Sequence, residues 1–412
     1  MLSDPDLRRY FAARLVSLTG SAVTYVVMPV LVYGITGSAT WTAMVAVAEG
    51  LPYLLAGLWA GALADHVDRR RVMVVSDVAA AAVLATVPIA WWLDSLTAAH
   101  VLIAAFVVQT VFVFFDAANH GALPSLVSRE RLPSANSLVF GGGTIVDTIV
   151  PGLAGLLMVV VAPASLVAVD AVTFLASALL VRAITRPLSG ARQGGRPMRF
   201  AAVAEGVRFI VHHPILRIMT SIGALQAFSG GAFIALLVVW ADRTLGIREG
   251  DWRLGLLFGA WGAGAVLGSA LMPRMITRFG AVRTELIFLP LSAAGGMITA
   301  LTTSWIPALI AIAVWGVMYM GVASTSLTLR QLVTPERLMS RVMVAGRMVS
   351  FGAGYPLGAL VAGYLAEQVG PSTALLICES TLAVGAAAVW LSPMRRAPKI
   401  LIVADEPAAP AA

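Results

Sequence analysis

Twelve runs of mostly apolar residues, each long enough to cross a bilayer as a helix, dominate this 412-residue chain. A helix needs about 20 such residues to traverse the hydrocarbon. The runs cover residues 11–34, 40–64, 72–93, 100–123, 135–161, 164–184, 216–240, 253–272, 284–302, 307–329, 343–365 and 372–391. Lipid offers no hydrogen-bond partners, so each run must pair its backbone internally and form a helix. Composition agrees: 59% of residues are hydrophobic and only 12% are charged, against about 25% in a soluble protein. The first run is too long for a signal-peptide core and lacks a cleavage site, so it reads as a retained helix. The expected fold class is an all-α membrane protein.

The charges orient the bundle. The net charge of +7 is not a nucleic-acid footprint, because the basic residues sit in short clusters between apolar runs. Alternate gaps hold Arg8, Arg9 and Arg14; Arg69–Arg71; Arg129 and Arg131; seven arginines from Arg182 to Arg217; Arg274, Arg278 and Arg283; four from Arg330 to Arg347; and Arg395, Arg396 and Lys399. That is 25 of the 28 basic residues on one side, leaving Arg243, Arg248 and Arg253 on the other. Cytoplasmic loops carry the positive excess, so both termini are expected in the cytoplasm of a bacterium with this multi-pass chain in its inner membrane. The Ala- and Arg-rich, Lys-poor composition fits a high-GC bacterium.

The longest gap divides the chain into an N-terminal six-helix half (1–185), a cytoplasmic linker (186–214), a C-terminal six-helix half (215–391) and a tail (392–412) expected to be disordered. Within the linker, Phe200, Val203, Val207, Ile210 and Val211 share one helical face, as in a helix lying on the membrane surface, and Pro214 follows it. The halves repeat. LPSLVSRERLPS at 123–134 and LRQLVTPERLMS at 329–340 agree at seven of twelve positions, each after the fourth run of its half. Internal duplication is common in secondary transporters.

Between the second and third runs stands Gly61-Ala62-Leu63-Ala64-Asp65-His66-Val67-Asp68-Arg69-Arg70-Arg71. This resembles the loop signature G-x-L-a-D-r-x-G-r-[kr]-x of the major facilitator superfamily, with His66 and Asp68 replacing the usual Arg and Gly. Stretches at Leu51-Pro52-Tyr53, Phe115-Asp116, Asp170–Phe174 and Glu205–Phe209 resemble its bacterial drug- and siderophore-efflux branch. Val150-Pro151-Gly152-Leu153-Ala154-Gly155 is similar to the antiporter signature G-P-x-x-G-G, with Val at the first Gly. The resemblance implies two pseudo-symmetric halves around a central cavity, with the third and sixth helices of each half outside it. It also implies that Gly61, Asp65, Arg69 and Arg70 form a conformational switch. A carboxylate at Asp65 can meet the start of the next helix, and the arginines can pair with acids that approach in one state.

Ionisable groups inside hydrocarbon are costly and point to function. The candidates within the runs are Glu49, Asp116, Asp147, Asp170, Glu379 and the cation Arg347. Asp147 lies mid-helix on a small, polar stripe with Gly143, Thr144, Thr148 and Pro151. Asp116 shares a face with Gln109, Asn119 and His120, and Glu49 lies one turn before Pro52. These three are the expected proton-coupling residues. Asp170 and Glu379 rank lower because the resemblance puts their helices outside the cavity. Arg347 reads as an interfacial cation or a partner for an acid. Tyr25, Met28, Gln109, Gln226, Phe233, Trp261, Tyr319 and Tyr355 are the expected cavity lining.

Several classes are disfavoured. The chain has no phosphate-binding G-x-x-x-x-G-K-[ST] motif, so ATP is not expected as partner or energy source. The five His residues are scattered and Cys378 stands alone, so neither a metal site nor an enzyme is expected. The resemblance implies a monomeric secondary transporter without cofactors, driven by a proton gradient and exporting amphiphilic small molecules by antiport. An importer or lysolipid translocator in the same fold is the alternative.

Overall fold

The computed structural model describes residues 4–128, 131–189, 200–248, 250–335 and 338–392. Side chains at 58, 61, 62, 64–66, 120, 133, 140, 200–203 and 340 lie outside that description, as do the linker stretch 190–199 and the tail from 393. The first six helices are α1 (Pro5–Thr36), α2 (Ala39–His66), α3 (Arg69–Trp92), α4 (Ala98–Leu126), α5 (Leu132–Leu157) and α6 (Pro163–Arg182). A short α7 (Phe200–His212) follows. Then come α8 (Pro214–Leu245), α9 (Trp252–Phe279), α10 (Ala281–Leu301), α11 (Trp305–Val333), α12 (Met339–Arg347), α13 (Tyr355–Val369) and α14 (Pro371–Leu391). A π-helical segment, Met348–Gly354, joins α12 to α13, so these form one span. Among the described residues twelve spans are long and apolar enough to cross a membrane.

Most helices outrun the apolar stretches that foretell them, because capped polar turns continue a helix beyond the lipid. Asp4 caps α1 by accepting from the amides of Asp6 and Leu7 at 3.0 and 3.3 Å, and Gly37, at φ 62°, ends it in a left-handed turn. Asp68 caps α3 by accepting from the Arg71 amide at 3.1 Å.

Each half repeats one packing plan. In the first, α1 and α3 pack on α6, α2 and α3 on α4, and α5 on α1. In the second, α8 and α10 pack on α14, α9 and α10 on α11, and α13 on α8. The halves then meet through two matching seams, α5 against α9 and α2 against α13. α7 rests on α12: Ile210 is buried with Leu338, Val342 and Ala345, and Glu205 pairs with Arg341. Val207 and Val211 stay exposed, so the apolar face expected to lie together is divided between protein and surroundings.

Glycines allow the seams to close. A Cβ on Gly255 of α9 would lie 2.7 Å from the Leu156 nitrogen of α5, and one on Gly262 would lie 2.8 Å from the Thr148 oxygen. On the other seam, a Cβ on Gly352 would meet Leu54 at 3.0 Å. Small residues let membrane helices approach until their backbones touch.

Gly255→Leu is expected to force α5 and α9 apart, at an overpacking cost of about 1–3 kcal/mol. Spin labels at the exposed positions Leu153 and Trp252 should show a longer distance in the variant. An unchanged distribution would mean the glycine contact does not hold this seam.

Candidate functional site

A cavity of about 660 Å³ opens between the halves. α1 contributes Tyr25 and Met28, α2 Glu49 and Tyr53, α4 Gln109 and Phe112, and α5 Thr144, Asp147, Thr148 and Pro151. The second half contributes Trp261 from α9, Phe351 from the π segment and Tyr355 from α13. The Tyr25 and Tyr355 hydroxyls stand 3.4 Å apart across the two halves. The polar stripe of α5 thus faces the cavity, with Gly143 turned instead against Leu18.

Three expected lining residues lie elsewhere. Phe233 is fully buried, its ring 5.1 Å from Trp261 and 4.7 Å from Trp315. Tyr319 stands 5.1 Å behind Trp261, outside the lining set. Gln226 donates to the Tyr319 carbonyl at 2.7 Å, and the Tyr319 hydroxyl donates back to the Gln226 carbonyl at 3.2 Å. These residues brace Trp261 from behind. Hydropathy identified their two helices, α8 and α11, but not which face turned inward.

Glu49 is half-buried and Asp147 exposed in the cavity wall. Neither has a hydrogen bond or ion pair among the described residues. Both line the same cavity as Tyr25.

Asp116, the third expected coupling residue, is buried outside the lining set. It lies one turn from Phe112 toward the face that carries the N-terminus and the end of α14. There it meets Arg14 of α1 at 3.6 Å and Arg347 of α12 at 3.6 Å. Arg347 also lies over the Tyr53 ring at 4.9 Å, and Arg14 over the Phe112 ring at 5.7 Å. This triad forms a charged floor that crosses the halves. Arg14 escaped the sequence reading because it was assigned to topology alone.

The remaining intramembrane acids are held by hydroxyls from neighbouring helices. Thr24 donates to Asp170 at 2.6 Å, and Ser229 donates to Glu379 at 2.8 and 2.7 Å. Each is a pairing between the first and sixth spans of a half, so the duplication extends to its buried polar pairs. Asp170 nevertheless reaches the cavity wall, although the resemblance put its helix outside. Two buried acids were missed: Glu285, which accepts from Ser326 at 2.7 Å, and Asp77 on α3. Both sit near a helix start, where run-averaged hydropathy hides a single charge.

Of the expected switch loop, Gly61 and Asp65 lie in α2, but their side chains are outside the described residues. Arg69 donates to the Gly121 carbonyl at 2.8 Å and Arg70 to the Arg186 carbonyl at 2.6 Å. These bonds tie α3 to the end of α4 and to the segment after α6. Arg186 pairs in turn with Asp4, whose carboxyl it holds below the usual carboxylate range.

The opposite face is latched across the halves. Glu367 of α13 accepts from the Ala39 amide at 2.5 Å and from Ser38 at 2.9 Å, adding a cap to α2 from the other half. Arg243 of α8 joins Glu367 at 3.2 Å and donates to the Gly37 carbonyl at 2.8 Å. Tyr33 donates to Asp242 at 2.6 Å.

Residues 2–408 match the family described as transmembrane secretion effector. The multidrug efflux pump Tap of Mycolicibacterium fortuitum is 30% identical over 408 residues, covering 95% of this chain and 96% of the relative. The enterobactin exporter EntS of Salmonella typhimurium is 25% identical over 348 residues, covering 82% and 80%. In shape, the chain is similar to an inward-facing, unoccupied bacterial homologue of the lysosomal transporter Spinster. That match has a TM-score of 0.76 and 14% identity, over 95% of this chain and 96% of that one. The nucleoside transporter NupG gives a TM-score of 0.73 at 13% identity, over 94% and 99%. At such identities the structural likeness shows the fold alone.

Glu367→Gln is expected to weaken the latch and shift the population toward a state open at that face, by about tenfold for a loss of about 1.4 kcal/mol. Distances between spin labels at the exposed Trp41 and Val369 report it. If the distribution stays at the closed distance, the latch does not set the equilibrium.

Proposed function

Because the chain belongs to the transmembrane secretion effector family of the major facilitator superfamily, we propose that it is a proton-coupled exporter of amphiphilic small molecules. The observation that carries this reading is the pair of carboxylates, Glu49 and Asp147, that have no hydrogen bond or ion pair among the described residues and stand in the wall of a cavity between the two halves. An ionised carboxylate in a low-dielectric wall is costly unless a proton or another cation neutralises it. Exchange of one for the other, while the two faces open in turn, couples proton entry to cargo exit. The printed names of Tap and EntS support the export direction.

Arginine placement supports a cytoplasmic position for the face that carries the N-terminus. The Glu367 latch then closes the outer face, and the structure is poised to receive cargo from the cell interior. The Asp116 floor controls that entry. When cargo leaves outward, the Glu367–Ala39 and Tyr33–Asp242 bonds must break, and the inner ends must close over the floor. The π segment that carries Phe351 gives α12 and α13 a point at which to bend, as such segments occur at functional sites. One chain encloses the whole cavity, which supports a monomer, and the proton gradient takes the place of ATP. In this reading the protein resides in the inner membrane of a bacterium and contributes to antibiotic resistance where its cargo is a drug.

In proteoliposomes with an imposed pH gradient, Glu49→Gln and Asp147→Asn are each expected to lower pH-driven efflux of a fluorescent cargo by about tenfold or more, a barrier change of about 1.4 kcal/mol. Asp116→Asn is expected to slow entry. Intact pH-driven efflux in all three variants would remove these residues from coupling. Net uptake, or flux only of lysolipid, would favour the importer or translocator reading.

A further inference from the structure

We infer that the cavity selects lipophilic organic cations, molecules with an ammonium or onium centre on an aromatic or alicyclic body, over anions of the same size. This rests on the cavity being the transport site, and it narrows that reading to one charge class.

The lining decides the sign of the charge. Among the described lining residues stand Glu49, Asp147 and Asp170, and no Lys, Arg or His. Asp170 is occupied by Thr24 and Thr173 at 2.6 and 3.1 Å. Glu49 and Asp147 are not occupied. A cation placed between them gains two attractions in a medium much less polar than water, and an anion meets two repulsions with no basic side chain in the wall. The nearby cations are Arg14 and Arg347, both in the floor and both drawn to Asp116 at 3.6 Å. Neither of them is among the described residues of the wall. The floor's one excess positive charge faces two wall carboxylates and offsets part of their field.

The rings add a second, independent preference. Tyr25, Tyr53, Phe112, Trp261, Phe351 and Tyr355 present aromatic surface to the cavity. Ring faces attract cations, with Trp the strongest. Two of these rings already carry one: Arg347 lies 4.9 Å from the Tyr53 centroid and Arg14 lies 5.7 Å from that of Phe112. A cationic cargo therefore finds apolar surface for its body and both carboxylate and ring faces for its charge. A polycarboxylate or catecholate anion finds only the first.

Tetraphenylphosphonium and tetraphenylborate test this, being matched in shape and opposite in charge. Their binding to the purified full chain in nanodiscs, measured without a pH gradient, isolates charge selection from transport. Empty nanodiscs give the lipid-partition background. The phosphonium is expected to bind about tenfold or more tighter than the borate after that correction, as one partly buried charge pair supplies. The Glu49→Gln, Asp147→Asn double variant should lose most of the preference while keeping its elution profile and the binding of a neutral aromatic ligand. Equal or tighter binding of the borate, or a preference that survives in the folded double variant, overturns the inference. Charge-selective binding with no pH-driven efflux would leave this inference standing and overturn the proton-coupled reading instead. Efflux without charge selection would do the reverse.

Discussion

Hydrocarbon hydrates neither a peptide group nor a charge, and every feature of this protein answers that constraint. Among the described residues, backbone groups are paired within twelve long helical spans. The helices gain contact by bringing glycines to their crossings, because burying apolar surface gains nothing where the solvent is itself apolar. Three intramembrane acids are each matched with a hydroxyl from a neighbouring helix: Asp170 with Thr24, Glu285 with Ser326, Glu379 with Ser229. Among the described residues of the cavity wall, the acids Glu49 and Asp147 lack such a donor. Their exception gives the cavity its chemistry.

The two faces solve different problems with different bonds. At the latched face, Glu367 reaches across to cap α2, and Arg243 grips both that carboxylate and the carbonyl ending α1. Close backbone contact at Gly155 and Gly255 seals the adjoining seam. At the other face the halves are bridged by the longer Asp116–Arg347 pair and by Arg347 over Tyr53. Short capping bonds close an end firmly, while separated charges hold it loosely enough for cargo to pass. Arg69 and Arg70 stay within their own half, bound to backbone carbonyls of α4 and of the segment after α6, so they brace α3 against both.

Helix number and order were legible in the sequence, because hydropathy runs and arginine alternation act over whole segments. The resemblance at 61–71 added the superfamily. The wall was legible where polarity marked a helix face, as with Thr144, Asp147 and Thr148. It was illegible where a ring could face either way: Trp261 reaches the cavity, while Phe233 and Tyr319 stack behind it. The role of Arg14 and the Ser partners of Glu285 and Glu379 depend on which helices are neighbours. One-dimensional spacing does not carry that information. The π segment was also hidden, since glycine-rich runs fit either a straight or a widened helix.

Proton release on cargo binding tests the central claim most directly. Purified protein in weakly buffered solution with a pH indicator, titrated with tetraphenylphosphonium near the midpoint of its coupling acids, should release a substantial fraction of a proton, up to about one, per cation bound. The Glu49→Gln, Asp147→Asn double variant should release none. Cation binding without proton release at any pH, or undiminished release from the double variant, would contradict the exchange of proton for cargo at these two carboxylates.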